Sequence, residues 1–206
     1  MRIHLGISLE DFLCSVFLYG ARAPQILVRP HPLNLTIWEG FSQPDATVYP
    51  TCNRDIFYSM DARRIFFESL HYSIGVIGLN TTAMVETAIV DKPTITWLNE
   101  RYASTQELSG HFHHLADAGF METARTSAEV TDKIGRLLAD EDPGRECRRT
   151  FVTDFIRPWG RGVAASVVMK EALLAIAQHR ALVDICRDLA RMGSADTGAT
   201  RTGQRE

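Results

Sequence analysis

The spacing of apolar residues changes repeatedly along the first two-thirds of the chain, and each change marks a predicted element. Leu9–Tyr19 reads as helix, and the short apolar run Gln25–Val28 reads as a strand ending in a proline-rich turn. Ala46–Tyr49 is a second short strand, bounded by Pro44 and Pro50. Ile65, Phe66, Phe67 and Leu70 fall at helical spacing between Asp61 and Tyr72, with Asp61 placed to cap the helix. Ile74–Leu79 is apolar and glycine-interrupted, as a buried parallel strand would be. Ala83–Ile89 continues as a short helix that Lys92-Pro93 breaks, and β-branched Thr94–Leu98 follows as a strand. Thr105–Ala118 should be a helix stopped by Gly119, and Phe120–Ala124 a last strand. Ser127 then caps a helix whose apolar face is Val130, Ile134, Leu137 and Leu138. Strand and helix in repetition imply crossover units, hence an α/β fold with a parallel sheet covered on both faces.

Strand signals stop at Pro143. Arg145–Ile156 and Val163–Arg180 read as helices separated by the turn Pro158-Trp-Gly-Arg-Gly162, and Ala181–Met192 extends the second or forms another. Residues 193–206 lack apolar anchors and are expected to be a disordered tail. The organisation expected is therefore an N-terminal helix over 1–24, a sheet domain over 25–142, a helical extension over 143–192 and the tail.

Composition narrows the class. With 206 residues, 45% hydrophobic and 23% charged, the chain can bury one full core. A formal charge of −3 leaves no basic surplus, which disfavours a general nucleic-acid binder. No apolar run reaches the roughly 18–20 residues of a spanning helix, and the first residues lack a signal-peptide pattern. A cytoplasmic location is expected, with peripheral membrane association left open. Cys14, Cys52, Cys147 and Cys186 are scattered without a Cys-x-x-Cys pair, which argues for thiols rather than a zinc site or disulfide framework. Asn34-Leu-Thr36 and Asn80-Thr-Thr82 fit the glycosylation pattern, but nothing in the sequence signals secretion.

Two strand ends carry candidate chemistry, because parallel α/β sheets bind ligands beyond the carboxyl ends of their strands. At Arg29-Pro-His-Pro32 two prolines restrict the backbone around His31, which with Arg29 could donate to a phosphate; the plainer reading is a turn with a surface histidine. At Asn80-Thr-Thr82 two hydroxyls meet the exposed N–H groups of a helix start, an anion cradle, with Glu86 one turn on to reach ribose hydroxyls. There the plainer reading is an ordinary N-cap by Asn80, Thr81 or Thr82. Thr105, Gln106 and Glu107 follow the Thr94–Leu98 strand and are candidates for substrate contacts. His111, His113 and His114 suggest a metal at first sight, but they do not share one helix face and no further ligand follows; one lining the cleft is the stronger expectation. Arg145, Arg148 and Arg149 read as a solvated helix face, and Trp97 and Trp159 as packing aromatics.

Arg29-Pro-His-Pro32 followed by Asn80-Thr-Thr-x-x-x-Glu86 resembles the C-terminal nucleotide-binding domain of GT-B-fold glycosyltransferases. The likeness is nearest to the CDP-glycerol glycerophosphotransferase and capsule-polysaccharide transferase type. UDP-N-acetylglucosamine 2-epimerases share the fold, and Asp91-Lys92-Pro93 stands where they carry a Gly-Lys-Pro turn. The resemblance spans Gln25 to Trp159, including Arg157-Pro-Trp-Gly160. It implies a single Rossmann-like lobe binding a nucleotide-activated sugar or polyol phosphate for cell-surface polysaccharide synthesis, without cofactor or metal. His31 would act catalytically on the donor phosphate, Thr81 and Thr82 would bind the same pyrophosphate, and Glu86 the ribose. Threonines stand where the family has serines, and the N-terminal lobe that such enzymes carry is expected to be missing, so the chain would be a fragment, a truncated gene product, or a subunit that needs its partner lobe or a homo-oligomer. The alternatives are an epimerase-like enzyme, whose acid/base carboxylates are not found here, and a non-catalytic α/β interaction domain.

Overall fold

The computed structural model describes residues 14–19, 25–31, 35–50 and 59–199, without the side chains of 14–19, 182 and 193–199. Residues 9–13 of the expected first helix, Pro32, Asn34, Cys52 and residues 200–206 of the expected tail lie outside it. The chain divides between Arg149 and Thr150 into two compact units.

The first unit is built on one six-stranded sheet. Its strands are β1 (Cys14–Tyr19), β2 (Gln25–Pro30), β3 (Ala46–Val48), β4 (Gly75–Gly78), β5 (Thr94–Trp97) and β6 (Met121–Ala124), in the order β3-β2-β1-β4-β5-β6. β3 pairs parallel with β2, and β4, β5 and β6 pair parallel with one another. β1 pairs antiparallel with both β2 and β4, so the other five strands all run one way. Two expectations are corrected by this strand. The spacing from Leu9 to Tyr19 predicts a helix, yet Cys14–Tyr19 is a strand, and the sheet is mixed rather than wholly parallel. Short apolar runs fit either period, and here two open strand edges offer Val16, Phe17 and Leu18 a ladder on both sides.

β4 and β5 are buried at every position, the mark of strands covered on both faces. The helices of this unit are α1 (Met60–Tyr72), α2 (Thr82–Ile89), α3 (Gly110–Asp117) and α4 (Ser127–Leu138), followed by α5 (Arg145–Phe151) across the boundary. On one face Ile26, Val28, Ile77, Ile95 and Trp97 pack with Trp38 and with Val130, Ile134 and Leu137 of α4. On the other, Val76 packs with Leu70 and Phe66 of α1, with Leu27 and with Val90. Val76 and Ile77 thus point to opposite faces, as strand pleating requires. Burying a side chain such as Ile77 contributes roughly 1.5–3 kcal/mol.

The helix ends differ from the expected ones by a residue or more. Ser59, not Asp61, caps α1, accepting from the Ala62 N–H at 3.0 Å, while Asp61 sits in the first turn where the helix dipole favours it. Thr126, not Ser127, caps α4, its hydroxyl accepting from the Glu129 N–H at 3.2 Å. Glu129 in turn accepts from the Arg125 N–H at 2.8 Å, a reciprocal arrangement close to a capping box. α3 begins at Gly110 rather than Thr105, and it ends as expected before Gly119, which takes φ +70°.

A further correction concerns the arginine run. Arg148 is fully buried, not solvated. Its Nε donates to Asp91 Oδ1 at 2.8 Å and its Nη2 to Asp142 Oδ2 at 2.7 Å. Asp91 adopts φ +56°, the left-handed residue of the Asp91-Lys92-Pro93 turn. There the carboxylate is held by Arg148 and Arg149.

In the second unit a π-helical turn (Val152–Ile156) precedes α6 (Ala165–Ala177) and α7 (Leu182–Ala199). Ala175, Ile185 and Leu189 form its buried cluster, with Trp159, Val168 and Ala172 packed against it. α7 runs to Ala199, into residues whose composition predicts a disordered tail. Among the described residues no helix is long and apolar enough to cross a membrane.

Candidate functional site

The two strand ends singled out in the sequence lie on one edge of one sheet. Val28 of β2 and Ile77 of β4 both pair with Val16 of β1. Counting outward from that level, His31 follows β2 at the height at which Asn80 follows β4. The two are separated by the width of two strand spacings, roughly 10 Å.

At the first strand end Arg29 is 7% exposed. Its guanidinium carbon lies 5.5 Å from the Tyr49 ring centre and 5.2 Å from that of Phe66, cation–π distances. Strand alternation puts Arg29 on the same face as Leu27, which is why it meets α1. Packed in this way it offers little surface to a ligand, whereas His31 is exposed.

At the second strand end, Thr81 is the N-cap residue of α2, with extended backbone and no capping hydrogen bond from its side chain. Its hydroxyl oxygen is buried and has no hydrogen-bond partner among the described residues. Thr82, the first helical residue, is exposed. Glu86 lies one turn further on an exposed position, and desolvation by the surrounding protein raises its carboxyl above the usual range. The next turn of α2 is anchored inside, where the Thr87 hydroxyl meets that of Thr94 at 2.6 Å.

The loop after β5 runs over the ends of three neighbouring strands. Its 3-10 turn Glu100–Tyr102 is capped by Asn99, whose side chain accepts from the Arg101 N–H at 2.9 Å. Further on come Thr105, Gln106 and Glu107, each with a different tie. The Asn80 side-chain amide donates to the Thr105 carbonyl. Gln106, 1% exposed, donates through Nε2 to the Trp97 carbonyl at 2.8 Å and accepts at Oε1 from the Asn99 N–H at 3.0 Å. Glu107 accepts from both terminal nitrogens of Arg125, at 3.1 Å for Nη1. The Arg125 guanidinium holds the Glu107 carboxyl below its usual range, and the charge of His113 adds to this. Of these three candidates for substrate contacts, Gln106 is thus spent on backbone, while Thr105 and Glu107 remain at the surface.

His111, His113 and His114 are all exposed, because Phe112 and Leu115 take the buried face of α3. Among the described residues no group of three His, Cys, Asp or Glu side chains is placed to hold a metal ion. Cys147 and Cys186 are free thiols. Within the second unit a cleft of about 350 Å³ is lined by Phe155, Arg157, Trp159, Val163 and Met169, and it contains none of the residues named in the sequence as candidates.

Sequence reasoning missed Arg125. The rule applied to His31 and Asn80, that chemistry sits just past a strand's carboxyl end, also selects Arg125, the first residue after β6.

The chain is an α/β protein in which two- and three-strand parallel sets flank a reversed strand, with helices on both faces. No family model, curated protein or solved structure matches it, so its function is read from its own residues.

Proposed function

We propose that the first unit is the Rossmann-like nucleotide-binding lobe of a GT-B-type transferase, taking a nucleotide-activated sugar or polyol phosphate at the carboxyl edge of its sheet. The observation that carries the reading is the common level of His31 and Asn80 across β2, β1 and β4. It brings the exposed imidazole and the start of α2 to one side of the molecule. In this reading the N–H groups at the start of α2 and the Thr82 hydroxyl hold the donor's phosphates. His31 donates to the departing nucleotide phosphate as negative charge grows there, and Glu86 takes the ribose hydroxyls. Arg29, two residues before His31, is packed against Tyr49 and Phe66.

The experiment is calorimetric titration of UDP-, CDP- and GDP-linked sugars and polyols into the full chain. One nucleotide class should bind, and His31→Ala and Thr82→Val should each weaken it by about tenfold or more, a loss of about 1.4 kcal/mol. Absence of binding by all three classes, or binding indifferent to both substitutions, would sink the assignment.

A further inference from the structure

Thr105, Gln106 and Glu107 are consecutive, and each is tied to the carboxyl end of a different strand. Thr105 is tied to Asn80 beyond β4, Gln106 to Trp97 and Asn99 at β5, and Glu107 to Arg125 beyond β6. The ties are unequal. Gln106 is buried with both ends of its amide engaged, so it is the fixed centre of the loop. The outermost tie is open to solvent: the Arg125 and Glu107 side chains are 60% and 41% exposed. Exposed pairs of this kind are screened by solvent and add little to stability, so one partner is readily exchanged for another. Arg148, 1% exposed beside an Asp142 that is 7% exposed, is the opposite case and cannot be recruited.

The geometry of the open pair suits a particular replacement. Both terminal nitrogens of Arg125 face both oxygens of Glu107, fork against fork. A phosphoryl group presents two oxygens to a guanidinium in the same way and carries more charge than a carboxylate. Arg125 also stands at the sheet edge where ligands of parallel α/β sheets gather.

We propose that Arg125 is a phosphate-binding cation of this edge, masked by Glu107, and that a diphosphate displaces Glu107 and loosens the outer end of the loop. The proposal rests on the reading of the edge as the donor site and names one cation that would hold the donor's diphosphate. It reverses the role given to Glu107 by its position in the sequence. Glu107 competes with the ligand, so removing its charge strengthens binding, whereas removing a substrate contact weakens it.

The test is titration of inorganic pyrophosphate into the full chain, in parallel with the nucleotide-linked donors. Glu107→Gln should bind pyrophosphate about threefold tighter than the parent. Arg125→Gln should lose the binding, and Arg125→Lys, which keeps the charge without the fork, should fall between. Thermal melts identify any variant that fails to fold, and the lysine variant then carries the comparison. Hydrogen exchange gives a second readout: the Leu108 amide, bonded to the Ala103 carbonyl at 2.9 Å, should exchange faster with pyrophosphate present and in Glu107→Gln. Unchanged or weaker pyrophosphate binding in Glu107→Gln, or parental binding in Arg125→Gln, overturns the proposal. If donors bind but ignore Arg125→Gln, the proposal falls and the donor reading stands. If pyrophosphate follows the expected pattern while no donor binds, the donor reading falls and the anion site stands.

Discussion

The side-chain amide of Asn80, two residues past β4, donates to the backbone carbonyl of Thr105 in the loop that leaves β5. A residue that in the sequence belongs to a helix start is thus also the near end of a clasp over the sheet edge. Asn80→Ala should cost about 0.5–1.5 kcal/mol, the net worth of one hydrogen bond. Urea denaturation measures the loss, and hydrogen exchange should show it concentrated in the loop amides rather than in β4. A uniform loss of protection across the sheet would contradict a local clasp.

Gln106 should matter far more than its neighbour. Gln106→Ala leaves the Trp97 carbonyl and the Asn99 N–H without their partner in a buried place, at a cost of about 1–3 kcal/mol. Thr105→Ala keeps the carbonyl that Asn80 uses and should change stability by less than about 0.5 kcal/mol. Denaturation midpoints of the two variants, at equal slope, give the comparison.

Arg148 joins two parts of the first unit through Asp91 and Asp142, and its loss should be severe. Arg148→Ala leaves the nearly buried carboxylate of Asp142 to Arg145, whose Nε donates to it at 3.3 Å, and removing one partner of a buried pair costs about 3–5 kcal/mol. The pH dependence follows from Asp91. Burial pushes its carboxyl up, but hydrogen bonds and charge from Arg148 and then Arg149 outweigh this and hold it below its usual value. A carboxylate depressed in the folded state contributes stability above its unfolded pKa, near about 4, and that contribution is lost as pH falls through the folded value. The thermal midpoint of the parent should therefore drop below about pH 4 more steeply than that of Asp91→Asn.

Two glycines should respond in opposite directions. A Cβ at Gly144 would stand 2.8 Å from the Phe120 carbonyl oxygen, so Gly144→Ala forces backbone apart and should cost about 1–3 kcal/mol. Gly135 lies inside α4 with nothing within 4 Å of the same atom, and Gly135→Ala should stabilise by about 0.5–1 kcal/mol. Paired thermal melts test both, and equal shifts for the two would contradict this packing.

Local rules carried the reading of the sequence furthest where one element satisfies itself. The amphipathic pattern Val130, Ile134, Leu137 determined α4 and its buried face, and the apolar runs around Val76 and Ile95 determined two fully buried strands. Placement past a strand end was enough to single out His31 and Asn80, and would have been enough for Arg125. Tertiary structure alone decided the rest, because those outcomes depend on partners far away in the chain. Cys14–Tyr19 became a strand because β2 and β4 both offered it an edge, and Gln106 left the helical pattern because a buried strand end needed its amide. Arg148 turned inward because Asp91, 57 residues earlier, waited with a compensating charge. Periodicity reports which face of an element is apolar; it carries no information about which distant polar group will make burial of a charge or an amide tolerable.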